Sequence, residues 1–240
     1  VTAAISARVN WRSAIKMIGF WQALGWMTLP FAALPALVLF FPKIKFINSL
    51  SRQVITLTDT INTSLGEIIK WALPSLIVAI VASIIALSIF GLSFTKLDEL
   101  PVYLHAAVIM LGCAATLLAS QHVRVDIFYG RLPARGKAFV EIIAFYIFSL
   151  PVCVLLIWVS QGFVAGSWRG FEGSNEATGI RGIFLLKTLI PVFAVTMLAQ
   201  TGSVAARAAM IMRGQTPPPR PRNIEDLFGQ PLGDSLKDDL

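Results

Sequence analysis

Four long apolar runs constrain this chain more than any other feature: about 71–94, 102–120, 139–159 and 182–206. Each reaches the roughly 20 residues that a helix needs to cross about 30 Å of hydrocarbon. Of the 240 residues, 56% are hydrophobic and 14% are charged, where a soluble domain carries about 25% charged. The sequence therefore predicts an all-α integral membrane protein with a core of four transmembrane helices.

Around that core the pattern changes. Residues 1–49 form an N-terminal extension with Arg8, Arg12 and Lys16, then an uncharged stretch from Met17 to Phe41 interrupted by Pro30 and Pro35. At 25 residues it exceeds a signal-peptide apolar region of about 7–15. It is expected to be an additional, irregular membrane-embedded segment. Across 50–70, Leu50, Val54, Leu57, Thr58, Ile61, Leu65 and Ile68 recur at helical spacing, while Arg52, Asp59, Asn62 and Glu67 fall mainly on other faces. That periodicity predicts an amphipathic helix lying along the membrane interface. Residues 50–213 read as the membrane domain. Residues 214–240 read as a Pro-rich, then acidic tail whose composition predicts disorder.

The net charge of +7 raises the question of nucleic acid. The basic residues lie beside and between apolar segments, which favours topology signals and anionic lipid contact instead. Arg124, Arg131, Arg135 and Lys137 crowd the loop between spans two and three, and Arg207, Arg213, Arg220 and Arg222 follow span four. The positive-inside rule then puts the 121–138 loop and the C-terminus in the cytoplasm. The 50–70 helix falls on that side too. If 17–41 also crosses, the extreme N-terminus lies outside despite its three basic residues.

Little in the sequence suggests catalysis. His105 and His122 stand 17 residues apart, about 25 Å along a helix, so they cannot share one haem iron. Cys113 and Cys153 are isolated in apolar runs, and no metal-ligand spacing or nucleophile–base motif occurs. No catalytic residue, cofactor or metal is expected. Gly112, Thr116 and Ser120, one per helical turn, offer a small-residue face for close helix packing. These properties fit a scaffold that packs against another membrane protein. A membrane anchor subunit of a respiratory enzyme is the alternative.

The segment joining spans two and three carries a more specific signal. His122-Val123-Arg124-Val125-Asp126 resembles the His-[Val/Ile]-x-Val-Asp pattern of the small membrane subunit (DctQ-like) of TRAP, tripartite ATP-independent periplasmic, transporters. Asp98-Glu99-Leu100, Tyr103-Leu104-His105, Leu111-Gly112 and Thr116-Leu117-Leu118 are similar to the helix leading into that pattern. Ser167-Trp168, Glu172-Gly173-Ser174 and Leu186-Lys187 with Pro191 are similar to the family's third loop and fourth helix. The likeness spans roughly 50–213 and is nearest the branch labelled mannitol/chloroaromatic.

The resemblance implies a non-enzymatic inner-membrane subunit. It would brace a large permease subunit (DctM-like) that holds the substrate and sodium sites, and a periplasmic binding protein would deliver an organic acid. It points to Glu99, His122, Arg124, Asp126, Trp168, Glu172 and Lys187 as structural or subunit-contact residues, beside Gly112 and Thr116. Arg124 and Asp126 would brace the cytoplasmic corner, and Trp168 would anchor the interface or contact the binding protein.

Overall fold

The computed structural model describes residues 28–119 and 129–221. Its helices are α1 (Thr28–Phe40), α2 (Lys45–Ile69), α3 (Ala72–Phe90), α4 (Thr95–Leu118), α5 (Ala134–Ala144), α6 (Leu150–Gly170) and α7 (Ile183–Met212). A π-helical turn, Phe145–Ser149, joins α5 to α6. Four stretches are long and apolar enough to cross a membrane, within 45–90, 95–118, 134–170 and 183–212. The protein is an all-α, multi-pass membrane protein.

Several elements run past their apolar cores. The second span begins at Thr95, so Pro101 lies inside α4 and not in its first turn. The fourth continues to Met212, which brings Arg207 into the helix; the apolar run alone suggests an end near Ala206. Hydropathy marks the stretch that lipid accepts, whereas a helix ends where its backbone finds other partners.

The π turn has a local cause. Pro151 has no N–H to donate to Ile147, and the Leu150 N–H reaches back to the Phe145 carbonyl, a five-residue rung in place of four. Tyr146 lies within the widened turn and meets α1 there. Its hydroxyl donates to the Ala32 carbonyl at 2.9 Å and accepts from the Ala36 N–H at 3.0 Å. A side chain thus stands in one rung of the α1 ladder, a recognised cause of helix bending. One residue away, Pro35 leaves the Phe31 carbonyl without its helical donor. That carbonyl rests on α7 at Gly202, where a Cβ would stand 3.1 Å from the oxygen and 3.3 Å from Phe31 Cβ. A side chain at 202 would require α1 to give way by a few tenths of an ångström, so glycine favours the close approach.

Helix α7 is the hub. Ala194, Leu198 and Ala205 pack with Phe145, Cys153, Ile157 and Val164 of the π turn and α6. Nearer its C-terminus, Ala206, Ala208, Ala209 and Met210 meet Val38 of α1, Ile55 of α2, and Ala138 and Ile142 of α5. Helix α3 is peripheral. Ala79 is its one buried residue, and Ile77, Val78, Ile84 and Ile89 are among its exposed side chains, as suits a helix whose outer surface meets hydrocarbon.

Candidate functional site

Two polar constellations lie at opposite ends of α7. Arg207 marks one and Lys187 the other, 20 residues apart and hence about 30 Å along the helix, which matches the thickness of a bilayer core. The first end also holds the start of α5, with Arg131 just before it and Arg135 in its first turn, and is termed the basic pole. The second holds the α3–α4 and α6–α7 connections and is termed the loop pole.

At the basic pole, α2 turns its polar row inward. Ser51, Ile55, Thr58, Asp59, Asn62 and Gly66 are buried, while Leu57, Ile61 and Ile68 are exposed. Asp59, 1% exposed, forms an ion pair through Oδ2 with Arg207 Nη2. Its Oδ1 accepts from Ser203 Oγ at 3.0 Å and from Gln200 Nε2 at 3.2 Å. Gln200 Oε1 in turn accepts from Asn62 Nδ2 at 2.6 Å. Five side chains from two helices thus satisfy one another, as burial of a charge requires.

Helix α2 touches α7 through this network. A Cβ at Gly112 of α4 would stand 3.7 Å from Ile69 at the far end of α2. Both contacts lie in the halves of α4 and α7 nearest the basic pole. Gly112 therefore packs against the chain's own helix. Thr116, one turn on, donates to the Cys113 carbonyl at 2.8 Å. The residues of α4 that bury most deeply are Ala114, Ala115 and Leu118.

The conspicuous loop residues His122, Arg124 and Asp126 lie outside the described residues. Behind them, Tyr129 donates to Glu141 Oε1 at 3.0 Å, and Lys137 Nζ sits 5.9 Å from the centre of the Tyr129 ring.

The loop pole gathers the other four residues singled out from the sequence. Glu99 Oε1 accepts from the Ser174 hydroxyl, and its Oε2 accepts from the Ile180 N–H at 2.7 Å. Neighbouring Asp98 faces the other way, taking the hydroxyls of Ser83 and, at 3.0 Å, Ser93. The paired carboxylates thereby tie the start of α4 to the α6–α7 loop on one side and to α3 on the other. Glu172 forms an ion pair with Lys187, whose ammonium lies 4.1 Å from the centre of the Phe163 ring. That hydrogen bond from Lys187 holds the Glu172 carboxyl below the usual carboxylate range. Trp168 Nε1 donates to Thr188 Oγ1 at 2.8 Å, and its ring meets Phe184 edge-on at 4.7 Å. Beside these contacts the loop opens a shallow cleft of about 360 Å³ bordered by Phe171, Ser174, Glu176 and Arg181.

Glu99, Trp168, Glu172 and Lys187 are thus brought together, and Gly112 and Thr116 stand apart on α4. The Asp59–Arg207 network is the feature that sequence reading missed. Gln200, Ser203 and Arg207 lie on one face of α7 at spacings of three and four, and polar groups within a span turn to the bundle interior. That spacing was the available signal.

This arrangement defines a class: a multi-pass helical membrane protein whose polar groups, among the described residues, hold its own helix ends together. Residues 76–210 match the family model for tripartite ATP-independent periplasmic transporters, DctQ component. No curated protein and no solved structure shows a match. The chain belongs to the DctQ component family of the TRAP transporters. Membership selects the transporter reading over the respiratory-anchor reading, and the family is one of transporter components, not of known enzymes.

Proposed function

We propose that this chain is the non-catalytic brace of its transporter. It would pack against the DctM-like large permease subunit and enlarge the part that stays fixed while the permease moves substrate. The solute is an organic acid or a related compound delivered by a periplasmic binding protein and driven by an ion gradient, with sodium as the coupling ion. The basic pole faces the cytoplasm of an inner membrane, with Arg131, Arg135 and Lys137 toward anionic lipid headgroups. The loop pole then faces the periplasm, where Trp168 and the cleft near Arg181 are placed to meet the binding protein. The branch labelled mannitol/chloroaromatic remains the finer placement within the family.

The observation that carries this reading is how the polar groups are used. The buried carboxylate and guanidinium neutralise each other between α2 and α7, and the exposed surfaces of α3 and α6 are predominantly apolar. A brace needs rigid helix ends and an apolar flank, and both are present.

Purification through a tag on the large permease subunit tests the proposal, and this chain should co-purify. Arg124→Ala with Asp126→Ala should lower recovered complex and solute uptake several-fold, while Cys113→Ser with Cys153→Ser should leave both near wild type. Recovery of the permease without this chain, with full uptake, would count decisively against bracing.

A further inference from the structure

The chain does not run free after α7. Gly214, at φ +69°, turns it sharply: the Gly214 N–H donates to the Ile211 carbonyl at 3.0 Å and the Gln215 N–H to the Met210 carbonyl at 2.9 Å. This is the paired bonding of a Schellman motif, and it sends the next residues back over the α1–α2 corner.

There they are held at successive points. Arg213 donates to the Leu39 carbonyl, and Gln215 Nε2 donates to the Pro42 carbonyl at 3.0 Å. Arg52 Nη2 donates to the Thr216 carbonyl at 2.6 Å, and Arg207 Nη1 donates to the Pro218 carbonyl. Pro218 is buried. The chemistry of the strap explains the choice of partners. Pro217, Pro218 and Pro219 have no backbone N–H, so this stretch offers acceptors only. Guanidinium groups, which donate and never accept, are its natural complement.

We infer that residues 213–218 form a clamp that keeps α2 seated on α7, and that Arg207 couples the clamp to the buried network. One guanidinium serves both the strap carbonyl and the Asp59 carboxylate. Withdrawing the strap leaves Arg207 Nη1 without its acceptor beside a buried ion pair and frees the Arg52 end of α2. A pull on the tail is thereby transmitted to the α2–α7 contact.

Cysteine alkylation in membranes carrying the chain with its natural partners tests this. The reporter is Ser51→Cys, on the buried face of α2 and 0% exposed, in a Cys113→Ser background. Native Cys153, 5% exposed in the α6–α7 core, reports on the rest of the fold. Ending the chain after Pro221 should leave both thiols protected. Ending it after Gly214 should speed alkylation at position 51 at least ten-fold and leave Cys153 protected. Arg52→Gln, with the strap intact, should give a smaller rise at 51 and covers the case in which the shorter chain fails to accumulate. Unchanged protection at 51 in these variants would overturn the clamp. So would a parallel rise at Cys153, which would make the strap a global stabiliser.

Discussion

The two poles of this protein use the same kinds of residue under opposite conditions. At the basic pole Asp59 and Arg207 are nearly removed from solvent, with side chains 1% and 10% exposed. At the loop pole Glu172 and Lys187 make an equally direct pair with side chains 41% and 18% exposed. Distance does not separate them, but burial does. A buried pair that loses one partner leaves a charge that neither water nor protein stabilises, at about 3–5 kcal/mol. A solvent-exposed pair contributes about 0–1 kcal/mol, because water replaces a lost partner. The basic pole is therefore held by charge, and the loop pole by shape and by hydrogen bonds to hydroxyl and backbone groups.

The largest expected effect tests that contrast directly. Arg207→Met strands the Asp59 carboxylate and should destabilise the purified protein by about 3–5 kcal/mol, read as a large fall in thermal midpoint in detergent. Combining it with Asp59→Leu removes both charges and should restore part of the loss, because an apolar pair of similar volume often substitutes for an ion pair, while Ser203 and Gln200 still lose their acceptor. Additive losses in the double variant would break the comparison and show that packing, not charge, holds α2 to α7.

The basic-pole network also marks where sequence reading stops. The four apolar runs, their order and their helical state were legible, because hydrocarbon thickness dictates their length. The likeness to a known family singled out Glu99, Trp168, Glu172 and Lys187 one by one, but that they gather at one pole is seen only in the folded chain. The side of α2 that turns inward was not legible either. Periodicity separates Leu57, Ile61 and Ile68 from Asp59 and Asn62, but in a membrane the polar row faces either headgroups or a polar partner, and periodicity alone does not decide which. The answer lay in Gln200, Ser203 and Arg207, about 140 residues further along the chain, whose register pairs with that of α2. Arg207 also resembles a topology signal, being one of several arginines after an apolar run, and that masks its second role.

At the loop pole the sharper test is steric. Gly179 lies against the Ser174 side chain, and a Cβ there would overlap it and stand 2.7 Å from Glu99 Oε1. Gly179→Ala should expel Ser174 from Glu99 and destabilise by about 1–3 kcal/mol, the usual range for forced overpacking. Heightened proteolysis within 171–182, with no change at α2, would report the effect as local. A change smaller than that of Lys187→Gln would invert the proposed balance of shape over charge at this pole.

The smallest effect is the dependence of the loop pole on pH. Lys187 holds the folded Glu172 carboxyl below the usual carboxylate range, that is, below its value of about 4.3 in an unfolded chain. A depressed carboxyl contributes stability that is fully present above the unfolded value. That contribution fades as pH falls through the folded one. The loop should therefore be insensitive to pH from neutrality down to about 5 and loosen only in stronger acid. Trp168, bonded to Thr188 and packed edge-on against Phe184 beside this pair, provides the readout. The fluorescence difference between the wild type and Trp168→Phe should be flat above pH 5 and change below it, and Glu172→Gln should abolish the change. A transition near pH 6 to 7 that survives Glu172→Gln would assign the response to another group and not to the Glu172–Lys187 pair.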